Sequence, residues 1–340
     1  MPFLNDVWYA AAWADEVADG ALLARTIAGQ PLVFFRAASG ALTCLLDRCP
    51  HRFAPLSRGK LTDHGIRCGY HGLEFSGSGE CVTNPHGPIA RALRVRSYPV
   101  TERHNMVWVW LSEQDPSRAQ IPDLSFVTET PPTAFSKGYM HGAANHLLLV
   151  DNILDLSHAD YLHPETLGGG SVTRTRAQVE ERPGSIFVAW HSPNEIPLPI
   201  WRPHLPDGHE RCDMWTEVEW FPCGVMLLRA GAAPVGQAPE QGFDTMNAHI
   251  MTPESSATTH YFYCNSRNYL VADAEYNARM AVGLRYAFEC EDKPMIEAQQ
   301  QRAGEIDLLE QHPALLSVDV ASTKARRMFE RLLSSEARTN

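Results

Sequence analysis

Long apolar runs are missing from this chain, and no stretch approaches the roughly 20 residues that a membrane helix needs. The opening residues Met1-Pro2-Phe3-Leu4-Asn5-Asp6 lack a basic start followed by an apolar run, so no targeting signal is expected and the chain reads as cytoplasmic, with no membrane partner. Clustered positive charge is missing too. With a net charge of -11 and no basic run, nucleic acid is excluded as a partner, because phosphate binding needs a concentrated positive surface. An acidic exterior suits a basic redox partner better. Internal repeats and low-complexity tracts are absent. Eight cysteines in 340 residues are too scattered for a disulfide framework, and Cys44, Cys81, Cys212, Cys223, Cys264 and Cys290 are expected to be free thiols. The remaining composition, 44% hydrophobic and 20% charged, allows a sizeable buried core, and the length suggests two domains.

The other two cysteines belong to a pattern. Cys49-Pro50-His51 is followed, after sixteen residues, by Cys68-Gly69-Tyr70-His71. Two thiolates on one iron and two imidazoles on the other would hold a [2Fe-2S] cluster asymmetrically, and the loss of two thiolate charges makes such a cluster easier to reduce. Two Cys and two His also satisfy tetrahedral zinc, but zinc sites of that composition normally keep like ligands together, whereas each half here contributes one of each. Both ligand segments are short and turn-prone, and Gly72 allows the backbone to approach a cluster closely. The surrounding chain reads as strands. Pro31 to Arg36 and Leu42 to Leu46 form apolar runs joined by a tight turn, Ser76-Gly77-Ser78-Gly79 is a second hairpin turn, and Met106 to Leu111 is a continuous strand. Ser112 to Pro132, rich in Pro, Asp, Ser and Thr, reads as a connector, which divides the chain into residues 1–120 and 121–340.

A second stretch runs from Leu147 to His163. Leu148, Asn152, Asp155 and His158 share one side at helical spacing, while Ile153, Leu154 and Leu156 serve packing. His158 and His163 are five residues apart, so a helix ending near Asp160 and then turning would bring them together, and Pro164 supports a stop there. Two convergent histidines with a carboxylate from elsewhere can hold mononuclear Fe(II) and leave positions open for oxygen. A helical region from about Ala272 to Arg302, interrupted by Pro294, offers Glu289, Glu291 and Asp292, and spacing alone does not choose among them. Incidental histidines on a solvated helix are the alternative. An electron-carrying cluster on the same chain favours the iron site.

These motifs, with Asn5 to Trp13, Cys49 to Ser57, Cys68 to Leu73 and Val150 to His158, resemble the oxygenase (alpha) component of Rieske non-haem iron aromatic-ring oxygenases. Within that family the chain is most similar to the branch of vanillate and dicamba O-demethylases and toluenesulfonate methyl-monooxygenase. The resemblance implies an α+β architecture: an N-terminal Rieske β-sandwich, then a catalytic domain with an antiparallel sheet surrounded by helices in the helix-grip, START-like manner. It assigns Cys49, His51, Cys68 and His71 to the cluster and His158, His163 and Asp292 to the mononuclear iron, which selects Asp292 over its glutamate neighbours. Asp155 matches a carboxylate that bridges a cluster histidine of one subunit and an iron histidine of the next, and Asn152 a polar neighbour of the iron. A homotrimer follows, with electrons crossing between subunits because the two centres of one chain are too far apart.

The implied activity is that of a terminal oxygenase. It would use O2 and electrons from an NAD(P)H-dependent reductase, with or without a ferredoxin, to monooxygenate or O-demethylate a substituted aromatic such as a methoxybenzoate. A ring-hydroxylating dioxygenase, an aryl-methyl hydroxylase or an N-demethylase is the alternative within the family; a pure Rieske electron carrier is the non-enzyme alternative. Strand-like runs at Ser185 to Trp190, Met214 to Trp220 and Thr259 to Tyr263 can wall an aromatic pocket. Arg229 and His249 are the polar groups expected to grip an anionic substrate group. Leu228 and Gly283 are aligned with pocket positions that are polar or aromatic in dicamba-type enzymes, which makes dicamba itself a poor substrate expectation.

Overall fold

The computed structural model describes residues 2–164, 167–198, 200–205, 210–304 and 307–339. The chain divides into two compact units, Phe3–Ile121 and Pro122–Asn340, the latter joined by the first two residues.

The first unit is built from three antiparallel sheets. Trp8–Trp13 and Val100–Arg103 flank Met106–Trp110 in one. Leu23–Ile27, Gln30–Arg36, Leu42–Leu46 and Ser97–Tyr98 form the second. The run Leu32-Val33-Phe34-Phe35 is apolar without alternation because its strand is covered on both faces. Leu32 and Phe34 enter a core shared with Tyr9, Val107 and Val109. Val33 and Phe35 enter another, shared with Leu56, Ile66, Leu73 and Phe75. Each such buried side chain contributes about 1.5–3 kcal/mol. The second core also contains the side chains of Cys49 and Cys68, so the ligand loops are fastened to the sheet through their cysteines. The third sheet, Lys60–Thr62, Gly65–Arg67, Glu74–Phe75 and Cys81–Thr83, carries the second ligand loop between its second and third strands.

The second unit is organised on a seven-stranded antiparallel sheet. Its order is Phe135–Gly142, Thr258–Arg267, Phe243–Ser255, Val225–Pro234, Cys212–Phe221, Ser185–Glu195 and Gln178–Arg182. From the first edge strand the chain crosses, through the helical segment that holds His158 and His163, to the opposite edge. It then returns by hairpins until Thr258–Arg267 pairs with Phe135–Gly142. The crossover helix His146–Leu154 lies against the sheet strands Cys212–Phe221 and Phe243–Ser255 and against the helices Lys293–Ala303 and Val320–Thr339. Its residues are buried all round, as befits a core helix, except Asp151 and Asn152. Asp151 meets the buried Arg326 at 2.6 Å, and that guanidinium also holds Asp307 at 2.8 Å. The architecture is α+β, a β unit followed by a helix-covered antiparallel sheet. Among the described residues no helix is long and apolar enough to cross a membrane, and no cysteine is in a disulfide.

Candidate metal centres and substrate cavity

The two cysteine-histidine loops share one backbone design. Cys49 N donates to Ala54 O at 2.9 Å and Phe53 N to Cys49 O at 2.9 Å. Cys68 N donates to Leu73 O at 2.7 Å and Gly72 N to Cys68 O at 3.1 Å. In each loop the fourth residue after the cysteine takes positive φ, 60° at Phe53 and 76° at Gly72, which closes the turn. Cys49 and Cys68 are buried. The His51 and His71 rings stand edge to face with centroids 4.5 Å apart. Burial, then the neighbouring Cys68, pushes the Cys49 thiol up to about 11, a shift that a bound cation would oppose by favouring the thiolate. His71 Nδ1 is buried and has no hydrogen-bond partner. Two buried thiols and an orphaned imidazole nitrogen fit a [2Fe-2S] cluster.

In the second unit the helix expected to run to Asp160 ends at Leu154. Asp155, at φ -125° and ψ 88°, breaks it, and the turn Leu156–His158 follows. The break is locally specified. The Asp155 carboxylate accepts from Ser157 N at 3.0 Å, and its main-chain carbonyl accepts from His158 Nδ1 at 2.5 Å. It is therefore the carbonyl, and not the carboxylate, that orients His158 within the chain. With Nδ1 protonated, Nε2 is left as the ligand nitrogen.

His163 is oriented in the same way by Glu291, whose Oε2 lies 2.7 Å from Nδ1. Asp292 Oδ1 then faces both free nitrogens, 3.4 Å from His158 Nε2 and 3.1 Å from His163 Nε2. Asn152 Nδ2 donates to the same oxygen at 3.2 Å. The three carboxylate candidates thus have three different positions: Asp292 converges with the histidines, Glu291 stands behind His163, and Glu289 pairs with Arg285 at 3.0 Å on an exposed face. The helical path explains the divergence. Residues Ala287–Asp292 form a π turn between Ala274–Tyr286 and Lys293–Ala303, and Pro294, which has no N–H, occupies the first turn of the latter helix. That widened turn lets adjacent residues 291 and 292 meet the two ends of one imidazole.

One ligand atom each from His158, His163 and Asp292 lies within 4.8 Å of the others. Burial works to raise Asp292, but hydrogen bonds and charge from His158 and His163 outweigh it and hold the carboxyl down to about 2. Burial works to lower His163, and Asp292 and Glu291 together raise it. Two imidazole lone pairs and a carboxylate converging on one point fit a divalent iron, with coordination positions to spare. Glu291 was not singled out as a supporting group by sequence, because only the π turn aims it.

A cavity of about 150 Å³ opens beside this triad. An engineered apolar cavity of that size accommodates a benzene ring. Its wall is one face of the sheet, read at every second residue: Thr216, Leu228 and Ala230, then Thr245, Asn247 and His249, then Asn265. Leu156, Leu284 and Phe288 are among the apolar side chains on the helical side. Of the four expected substrate contacts, Leu228 and His249 line the cavity. Arg229 does not. Lying between Leu228 and Ala230 it points to the other face, where it holds Asp244 at 2.6 Å. Gly283 does not line it either: it is exposed on the Ala274–Tyr286 helix, with nothing near where a Cβ would stand, and its neighbours Met280 and Leu284 face the cavity instead. His249 is buried, its Nδ1 lies 2.6 Å from Tyr261 Oη, and burial brings its pKa down to about 4. No lysine or arginine is among the described residues lining the cavity.

A chain that couples a two-Cys, two-His cluster loop to a two-His, one-carboxylate iron triad beside a ring-sized cavity is an oxygenase of the Rieske non-haem iron class. Residues 7–99 match the Rieske [2Fe-2S] domain family, and residues 143–335 match the vanillate O-demethylase oxygenase C-terminal domain family. The dicamba O-demethylase oxygenase component of Stenotrophomonas maltophilia is 37% identical, covering 99% of this chain and 100% of that one. The toluene-4-sulfonate monooxygenase iron-sulfur subunit of Comamonas testosteroni is 32% identical over 98% of both chains. The crystal structure of dicamba monooxygenase bound to dicamba superposes with a TM-score of 0.88 at 36% identity, over 99% of each chain. The chain belongs to the Rieske non-haem iron oxygenases, in the branch of the vanillate and dicamba O-demethylase oxygenase components. Its cofactors are a Rieske [2Fe-2S] cluster and a mononuclear iron.

Proposed function

We propose that this protein O-demethylates a methoxylated aromatic ring. Cys49, His51, Cys68 and His71 hold the cluster, and His158, His163 and Asp292 hold the iron. A reductase using NAD(P)H, directly or through a ferredoxin, supplies the electrons, and the working assembly is a homotrimer in which Asp155 links neighbouring subunits. The single observation that carries the reading is the juxtaposition of an apolar, ring-sized cavity with the His158, His163 and Asp292 triad.

When bound, the iron supplies the activation of O2 for insertion into a C–H bond of the methoxy group. One oxygen atom enters that bond, and the other leaves as water with two electrons and two protons. The resulting hemiacetal separates into a phenol and formaldehyde. The chain's own contribution is placement. Leu156, Leu228 and Phe288 exclude water and hold the ring by its faces. His249, neutral at physiological pH and tied at Nδ1 to Tyr261, keeps Nε2 for a polar substituent. Asn152 restrains the Asp292 oxygen that faces both histidines.

Oxygen uptake with a competent reductase and a panel of methoxylated aromatics tests this. Stoichiometric formaldehyde is expected. Oxygen consumption that gives a ring diol or a hydroxymethyl arene without formaldehyde overturns it.

A further inference from the structure

The sheet side of the cavity carries a chain of amides whose direction is fixed by the backbone. Asn247 Nδ2 donates to the main-chain carbonyl of Leu228 at 3.1 Å and lies 3.3 Å from Thr245 Oγ1. Thr245 Oγ1 in turn donates to the carbonyl of Ala230 at 3.3 Å. A main-chain carbonyl only accepts, so the amide end of Asn247 must face Leu228 and its Oδ1 must face away. Asn265 Nδ2 donates to that Oδ1 at 2.6 Å. This leaves Asn265 Oδ1 as the end of the relay. It is buried without any hydrogen-bond partner, on a residue that lines the cavity and is only 3% exposed. A buried acceptor left unmet is costly, and natural structures seldom keep one without a use.

We infer that Asn265 is a specificity-determining residue and that its Oδ1 receives a hydrogen bond from an O–H or N–H group on the aromatic substrate. The assignment rests on the proposed demethylation of an aromatic ring and adds what the ring must carry. Asn247 positions it, since its own orientation is locked by Leu228 and dictates that of Asn265. A carboxylate facing Asn265 would set acceptor against acceptor, and no cationic side chain among the described lining residues offsets it. The substrate class is therefore a methoxylated phenol or aromatic N–H compound, with the donor aimed at the sheet and the methoxy group at the iron triad.

Anaerobic calorimetry on the iron-loaded holoenzyme tests the recognition apart from turnover. Each methoxyphenol isomer is titrated against the methoxyfluorobenzene of the same substitution pattern, and methoxyanilines separate N–H from O–H donors. At least one donor-bearing isomer is expected to bind about 10- to 100-fold more tightly than its fluorinated counterpart. In Asn247→Leu/Asn265→Leu, which removes both amides together, and in Asn265→Ser, whose shorter hydroxyl can still donate toward Asn247 but leaves no oxygen at the Oδ1 position, the ratio should fall to within about threefold. Equal binding in the wild type, or a preference that survives in both variants, overturns the inference. The same compounds under turnover separate the two readings. Formaldehyde release without donor preference rejects Asn265 and keeps the demethylase; donor preference without formaldehyde does the reverse.

Discussion

Glu291 and Asp292 are adjacent in the chain, yet they meet opposite ends of His163 and carry different tasks. A carboxylate behind a ligand imidazole fixes its tautomer and raises its basicity, and losing such a partner typically costs 10–100-fold in metal affinity. Glu291→Leu should therefore hold mononuclear iron about 10- to 100-fold more weakly in a chelator competition series, with the cluster's visible spectrum unchanged. Glu291→Gln, which can still accept from Nδ1, should fall between. Iron retention equal to wild type in Glu291→Leu would remove Glu291 from the site. At this scale the three residues that a motif singled out in sequence, His158, His163 and Asp292, have donor atoms that converge. Arg229 was expected on its charge either to grip an anionic substrate or to face an acidic neighbour, and it pairs with Asp244. The two-residue period of the strand, visible between Leu228 and Ala230, would have sent that guanidinium to the opposite face.

At the scale of elements, the break after Leu154 is what turns a buried helix into a ligand platform. Asp155 makes the break with its carboxylate on Ser157 N and orients His158 with its carbonyl. Asparagine caps such a turn about as well as aspartate, so Asp155→Asn should keep both metals and the fold. Turnover, measured as oxygen uptake, should nevertheless drop by about 10- to 100-fold or more if the charged carboxylate serves the relay. Normal turnover in that variant would leave Asp155 as a cap only. The break lay hidden in the sequence, because the helical period continues through His158 and a helix stop was read from Pro164. Only the competing side-chain bond of Asp155 ends the helix earlier. The π turn at Ala287–Asp292 was foreshadowed by Pro294, though not its direction.

The start of the same helix makes a separate prediction. His146 is buried against Phe329, and burial, with the Arg326 charge, depresses its pKa to about 3. The unfolded chain binds this proton near the ordinary histidine value and the folded chain does not. Stability is therefore fully present above about pH 6.5 and lost as pH falls toward 3. Unfolding free energies from urea titrations should show wild type losing stability relative to His146→Phe as acid is added across this range, by several kcal/mol at most. A pH-independent difference between the two would show that His146 titrates normally.

At the scale of the molecule, the proposed trimer makes electron transfer between subunits a matter of assembly. A cyclic trimer repeats one heterologous junction three times, each joining the cluster of one chain to the iron of the next. Cys68→Ser chains keep the iron triad and lose the cluster, while Asp292→Ala chains keep the cluster and lose the iron. Neither turns over alone under any arrangement. If electrons pass only within a chain, mixing them changes nothing. If they pass between chains, an equal mixture carrying two different affinity tags, assembled together and purified through both, should recover about a third of wild-type turnover, because every mixed trimer has one junction in three that pairs a working cluster with a working iron. No recovery in doubly tagged assemblies of confirmed iron and sulfide content would place the relay inside the single chain, and with it dismiss the bridging role of Asp155.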